Sequence, residues 1–302
     1  MRRAPRALAV VLFAVATAVS LAACNSAPTV GDGDIGGSWV VFEEPTVPTP
    51  ESGVCRFGTV EFVDFDLSVF DTTTGECTAS HQTETFFIGK FTGKNAEGTS
   101  APDVGDAAFK TASQTCDRQA EKFLGGDWHK ARAELVAVMP SDRQWHGEAR
   151  WFRCELLETK DSQGHVVTRT KSMKDGLRGK KPLALTCANY KSTKGGGFNN
   201  ITYSTCSKSH SIEMTGTYTW TATKYPGKKQ SSTNASHCLA VSAGYLGTSV
   251  GSLNGVGGFE WLWWPANEAQ WSVGNKTVRC YMGAYPTFKR TGSIKGKGSG
   301  AF

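Results

Sequence analysis

The chain of 302 residues carries one pattern of cysteines and neighbouring residues twice. In each copy a Cys precedes the motif Cys-x3-His-x2-Glu, which is followed by another Cys, by Trp-x8-Cys and by a small basic segment. Because two internal spacings match to the residue and the landmarks keep their order, we infer a duplicated domain. The landmarks are Cys55, Cys77, His81, Glu84, Cys116, Trp145, Cys154 and residues 176–179 in the first copy, and Cys187, Cys206, His210, Glu213, Cys238, Trp271, Cys280 and residues 293–296 in the second.

The first 24 residues have the form of an export signal. Three arginines within the first six residues precede an apolar stretch over 7–22, which is shorter than a typical membrane span. The run Leu-Ala-Ala-Cys that ends at Cys24 resembles the lipobox of bacterial lipoproteins, which implies that Cys24 is lipidated, as by palmitate, and becomes the first mature residue. The alternative is a secreted protein cleaved near Ala23. We therefore expect a lipid-anchored protein at the extracytoplasmic face of the cell membrane.

These signals divide the chain into four parts. We expect a signal peptide at 1–23, a tether rich in Gly and Pro at 24–52, and repeats at 53–179 and 180–302. The segment 39–42 is more apolar than a linker requires, so it either adds a strand to the first repeat or remains part of the tether. Domains of this size bury a core, and disulfides add to their stability.

Each repeat is predicted to have an α+β fold, with one helix packed on a mainly antiparallel sheet. Apolar residues at helical spacing predict a helix over 103–124 and a shorter one over 235–246. Alternating and apolar runs predict the strands. The predicted strands are 59–70, 82–91, 135–139, 149–157 and 166–170 in the first repeat, with a turn at 140–147, and 201–203, 212–223, 259–264 and 277–282 in the second.

The eight cysteines of the repeats are expected to form disulfides within each repeat, because exported proteins meet an oxidising compartment. Each helix presents one Cys on its apolar side and each late strand offers another, so these two are expected to pair. The remaining two cysteines of each repeat pair by elimination, although four cysteines allow three connectivities. The favoured pairs are Cys116–Cys154, Cys238–Cys280, Cys55–Cys77 and Cys187–Cys206.

With these motifs the chain resembles the septum formation domain family of actinobacterial envelope proteins, in two tandem copies. The likeness covers residues 55–179 and 187–296. Ser80 and Ser209 stand where that family usually has Pro before its His. The resemblance implies an exported, membrane-anchored protein associated with cell division or envelope growth, and it brings no catalytic residues to carry over.

His81 with Glu84, and His210 with Glu213, are candidate functional pairs, because imidazole titrates near neutrality and a carboxylate can orient it. Structural hydrogen bonding, metal binding and acid–base catalysis are the three alternatives. Positions three apart on a strand point to opposite faces, so we expect neither pair to converge. Cysteines in disulfides cannot act as thiolate ligands. We therefore favour a structural role and expect no catalytic residue, metal or cofactor.

Charge separates the two repeats. Residues 52–179 contain 16 Lys/Arg and 19 Asp/Glu, whereas residues 180–302 contain 14 Lys/Arg and 3 Glu. The second repeat is thus expected to attract polyanions within a Debye length of about 8 Å. The candidate partners are an anionic envelope polymer, anionic lipid or an acidic protein, and nucleic acid is not expected. Alternatively, these basic residues form a solvated face or meet the acidic repeat within the chain.

Trp261, Trp263 and Trp264 form a tryptophan-rich run in the second repeat and are candidate binding residues. Flat amphipathic rings stack on sugars and anchor protein partners. Core packing and contact between the repeats are the alternatives.

These observations predict a lipid-anchored binding or scaffold protein, and not an enzyme, associated with septum formation or envelope assembly. The alternatives are a cell-wall-active enzyme that uses the His/Glu pairs and a small-ligand carrier that uses the Trp-rich strand.

Overall fold

The computed structural model describes residues 47–58, 60–63, 66–69, 73–192, 198–253, 259–264, 267–284 and 289–300. The predicted signal peptide, Cys24 and the apolar segment 39–42 lie outside the described residues. Among the helices that are described, none is both long and apolar enough to cross a membrane. The chain from Thr46 to Phe302 forms one compact unit, which therefore contains both halves of the repeated pattern.

The first half contains a five-stranded antiparallel sheet and a separate hairpin. Its described strands are β1 Val54–Arg56, β2 Val60–Val63, β3 Asp66–Val69, β4 Thr74–Gly75, β5 Thr83–Lys90, β6 Ala133–Val138 and β7 Trp151–Glu158. The order in the sheet is β4-β1-β5-β7-β6, and β2 pairs with β3. The central position of β5 and β7 places the sequence after His81 beside the strand that carries Cys154.

Helix α1, Ala107–Leu124, packs against β5, β6 and β7. Its buried residues recur every three or four positions and so form one face of the helix. The helix begins four residues after Asp103, because the Asp106 carboxylate accepts the Asp103 backbone N–H at 2.8 Å and holds the chain in a turn. Gly125 ends the helix with φ 76°, a left-handed conformation that favours glycine. The buried helix residues are Phe109, Ala112, Cys116, Ala120 and Leu124.

The second half repeats this arrangement. Its described strands are β8 Cys187–Ser192, β9 Phe198–Ser204, β10 Ile212–Thr219, β11 Phe259–Trp264 and β12 Thr277–Ala284, and its longest helix is α3 Gln230–Leu246. The sheet order is β11-β12-β10-β8-β9, which is the order of the first sheet read from its other edge. Equivalent bulges interrupt β5 after Thr85 and β10 after Met214. The α+β class is therefore confirmed for both halves.

All four favoured disulfides are confirmed. In each half one disulfide joins the long helix to the strand that carries the Cys of the Trp-x8-Cys motif. The other joins the first strand of the five-stranded sheet, or β8 in the second half, to the loop before His81 or His210. The Cα–Cα distances are 5.0 Å for Cys55–Cys77, 5.3 Å for Cys116–Cys154, 5.1 Å for Cys187–Cys206 and 5.2 Å for Cys238–Cys280.

Two predicted strands of the first half are wrong. Within the predicted strand 59–70, residues 60–63 and 66–69 form the two paired strands β2 and β3, and the apolar parity of the sequence changes between Phe62 and Leu67. Residues 166–170 make only isolated bridges, Thr159↔Val166 and His81↔Arg169. Thus the period-two pattern was present, but it did not distinguish one strand from a hairpin or a strand from single bridges.

Each half also has a short helix before its last strand. In the first half this helix lies where the sequence predicted a turn, at 140–147. These are α2, Asp142–His146, and α5, Glu268–Ser272; a further short helix, α4, spans Val250–Leu253. Both α2 and α5 begin with a capping box, in which a Ser or Asn side chain and a Gln side chain bind each other's backbone N–H groups. The capping pairs are Ser141 with Gln144 and Asn267 with Gln270.

The two halves meet around Arg279, on the face of β12 away from α3. Its guanidinium group donates to the His129 carbonyl at 2.8 Å and to the Ala133 carbonyl at 3.2 Å, and lies 3.4 Å from the Glu134 carboxylate. Arg279 is 7 % exposed, so these acceptors replace the water that a charge loses on burial. Basic and acidic halves therefore do meet within the chain at this residue.

We expect replacement of both Cys116 and Cys154 by Ala to lower the free energy of unfolding by about 4 kcal/mol, because the longer loop gains more unfolded-state entropy. Replacement of both Cys55 and Cys77 should cost about 3 kcal/mol. Urea unfolding of the oxidised proteins measures both. Equal stability of the wild type and the Cys116/Cys154 double variant would contradict this prediction.

Candidate functional site

The two His/Glu motifs occupy equivalent places, immediately before and at the start of the central strand of each sheet. His81 exchanges backbone hydrogen bonds with Arg169, and His210 does so with Arg290. Each imidazole Nδ1 lies near the carbonyl two residues earlier, at 2.7 Å from Ala79 and 2.8 Å from Lys208. Both rings are therefore held by the turn that precedes the strand.

The carboxylates of the two motifs bind the end of their own half. Glu84 accepts the Ser172 hydroxyl at 2.5 Å and the Met173 N–H at 2.7 Å. Both glutamates are almost fully buried, at 2 % and 1 % exposure. A buried carboxylate is tolerated when hydrogen bonds satisfy it, and these bonds hold the closing segment against the sheet.

The second half repeats this contact. Glu213 accepts the Ser293 hydroxyl at 2.8 Å and the Ile294 N–H at 2.7 Å. Residues 172–174 are thus the structural equivalent of 293–295. The sequence alignment of 176–179 with 293–296 is wrong by four residues, because the shared feature is Ser followed by an apolar residue and Lys.

The expectation that neither His/Glu pair converges is wrong in the second half. His210 Nε2 lies 3.4 Å from Glu213 Oε1. The strand rule does not apply, because His210 precedes β10 and only Glu213 belongs to the strand. Burial, with a further contribution from the Glu213 carboxylate, raises the pKa of Tyr245 to about 12. Its protonated hydroxyl donates to Glu213 at 3.0 Å.

Each His lies beside a disulfide. Potential metal-ligating atoms of Cys187, Cys206, His210 and Glu213 all lie within 4.8 Å of one another, as do those of Cys55, Cys77 and His81. The paired sulfurs are not thiolates, and thiolate is the form of cysteine that binds zinc. The His81 Nε2 atom is buried and has no hydrogen-bond partner within the described ranges. In this oxidised form, the motifs are suited to holding the fold together.

The three candidate tryptophans lie on β11, an edge strand of the second sheet. Register places Trp261 opposite Met282, Trp263 opposite Cys280 and Trp264 opposite Arg279. The predicted strand is therefore confirmed. The structure describes the backbone of this strand but not its side chains. Their role in binding stays a prediction.

Two arginines, the partly exposed Arg153 and the buried Arg279, occupy the same place in the two halves and were not predicted from the sequence. Arg153 and Arg279 each precede the Cys of the last strand, on the face of the sheet away from the long helix. The repeated dipeptide Arg-Cys, at the end of Trp-x8-Cys, was the available signal. A prediction that follows the cysteines and counts arginine only as net charge does not detect this dipeptide.

The fold and these sites define a disulfide-bonded α+β protein with two similar halves, each closed by a buried carboxylate. A family model described as septum formation matches residues 63–280. Because this match covers more than half of the chain, the protein belongs to the septum formation family, and the predicted resemblance is confirmed.

The match is one span that crosses both halves, so it does not distinguish two tandem family copies. The family membership indicates a role in septum formation or the cell envelope. Comparison with curated proteins and with solved structures gave no match.

We expect the Glu213→Gln substitution to lower the free energy of unfolding by about 2 to 3 kcal/mol, because hydrogen bonds to a charged group are stronger than those to a neutral one. Urea unfolding at neutral pH measures the change. Glu97→Gln is the matched control, since Glu97 is exposed and should stay within about 0.5 kcal/mol of the wild type. Similar unfolding midpoints for the two variants would reject the role assigned to Glu213.

Proposed function

We propose that this protein is a lipid-anchored binding or scaffold protein at the extracytoplasmic face of the cell membrane, and that it serves septum formation or envelope assembly. The observation that carries the proposal is the pairing of all eight cysteines between residues 55 and 280 in four disulfides. Disulfides persist in oxidising compartments and are rare in the cytoplasm. The family membership and the lipobox-like run before Cys24 support the same location.

The proposal of binding without catalysis rests on how the candidate residues are used. His81 and His210 are 1 % and 0 % exposed, and both glutamates bind the closing segments. A catalytic acid or base must come within hydrogen-bond reach of its substrate. Groups that are buried and engaged in the fold are poorly suited to that task, which argues against the enzyme alternative.

A cavity of about 50 Å³ between the halves favours one second candidate, a carrier of a small ligand. Phe109 and Trp128 provide apolar walls, and Gln114, Glu134 and Asn275 provide polar groups. Apolar walls with a few converging polar groups are typical of ligand sites. Quenching of tryptophan fluorescence by a ligand in the wild type, but not in a variant with Ala137→Leu, would favour the carrier.

We expect Cys24→Ala to remove the protein from the membrane fraction, because the acyl chains supply the apolar surface that holds it there. Fractionation of cells grown with labelled palmitate measures both attachment and acylation. Ser26→Ala should leave both unchanged. Retention of the Cys24→Ala protein in the membrane fraction would overturn the proposed anchor.

We expect the double variant His81→Gln and His210→Gln to support division as well as the wild type in cells that lack the native protein. The substitutions retain a polar side chain but cannot act as a base near neutral pH. Septum frequency and cell length are the measurements, with non-reducing electrophoresis to verify the disulfides. Loss of division with the fold intact would favour the enzyme alternative.

A further inference from the structure

An open groove of about 520 Å³ crosses the outer face of the first sheet. Phe152 and Cys154 face α1, so the alternating residues Trp151 and Arg153 of β7 face the opposite way and line the groove. Residues 48–50 form one wall, and residues 138–141 form another. None of the candidate residues of the His/Glu motifs is among the residues that line this groove.

Two guanidinium groups in the groove share one buried carboxylate. Glu155 Oε1 lies 2.9 Å from Arg56 Nε and 2.8 Å from Arg153 Nε, and Glu155 is 0 % exposed. Burial and the neighbouring Arg56 charge lower the pKa of Arg153, while Glu155 raises it. In the described part of the chain, Glu155 is the carboxylate bound to Arg153, and the Arg153 side chain keeps 13 % exposure where it lines the groove.

Trp151 gives an independent sign of a missing acceptor. Its indole N–H is buried and has no hydrogen-bond partner among the described residues, and Trp151 is 5 % exposed and lines the groove. Buried N–H groups in folded proteins are nearly always paired. The floor of the groove therefore offers one neutral and one charged donor to a ligand that carries oxygen acceptors.

The equivalent face of the second sheet is occupied by another part of the chain, which indicates the kind of ligand that such a face binds. Arg279 stands in β12 where Arg153 stands in β7, one residue before the disulfide-bonded Cys. Arg279 binds two backbone carbonyls and approaches the Glu134 carboxylate. The occupant of the second face is thus a peptide segment of the first half, residues 129–134, that carries a glutamate.

We propose that the groove of the first half is a docking site for a peptide segment of a partner protein that presents a Glu or Asp side chain, with this carboxylate bound to Arg153 and a carbonyl bound to the Trp151 N–H. The apolar walls contributed by Pro48, Pro50 and Met139 accommodate the residues beside that carboxylate. Charge-assisted pairing supplies the specificity, because an arginine fork matches a carboxylate. This inference rests on the binding role proposed above and specifies the chemistry of the partner.

A fluorescent peptide with the sequence of residues 129–138, HKARAELVAV, serves as the probe, and fluorescence anisotropy measures its binding to the full chain. We expect saturable binding that Arg153→Gln weakens at least tenfold and Trp151→Phe weakens about threefold to tenfold, since each removes a donor. A probe with Gln at the position of Glu134 should lose affinity as strongly as the Arg153→Gln protein does. Arg118→Gln, an exposed arginine of α1, is the matched control and should bind as the wild type.

Circular dichroism and the unfolding midpoint establish that each variant is folded. If Arg153→Gln is unfolded, Trp151→Phe and the Gln probe decide the result on folded protein. Absence of peptide binding, or binding that neither Trp151→Phe nor the Gln probe weakens, overturns the proposal. Polyphosphate that binds through Arg153 while the peptide does not would also overturn it. Because the assay uses purified protein, its failure would leave the proposed anchor and location standing.

Discussion

The buried guanidinium group of Arg279 is the contact on which the joint between the two halves depends. A charge that is 7 % exposed is costly unless hydrogen bonds satisfy it, and here two carbonyls and one carboxylate of the other half supply them. Separation of the halves would expose the guanidinium group and its three acceptors to water. The two sheets therefore have a fixed relation within one compact unit, and one charge of the basic half is used for structure.

The same arginine in the other half has a different environment, although the local fold is the same. Arg153 and Arg279 both precede a disulfide-bonded Cys and both point away from the long helix. The second face is covered by the chain segment 129–134, whereas the first is an open groove. Within the described residues, one of these two faces has an internal occupant and the other has none. One residue position in two similar halves thus provides both a structural contact and a candidate recognition surface.

The sequence predicted those features that depend on short periods and on cysteine spacing. The helix ending at Leu124, the strand that carries Cys154 and all four disulfides follow from apolar spacing and the repeated motif. The hairpin of β2 and β3 was missed because a turn and an irregular strand leave the same parity change. The partners of Arg279 and Glu213 could not be predicted, because hydrogen bonds between residues 80 to 150 positions apart leave no periodic trace in one sequence.

The buried carboxylates also relate the fold to the order of the chain. Glu84 finds its donors 88 and 89 residues later, at Ser172 and Met173, and Glu213 finds its own 80 and 81 residues later. A carboxylate that loses water without these donors is costly, so the start of each central strand stays hydrated until the closing segment of the same half is in place. Because each glutamate and its donors belong to one half, neither half needs the other to satisfy its own buried carboxylate.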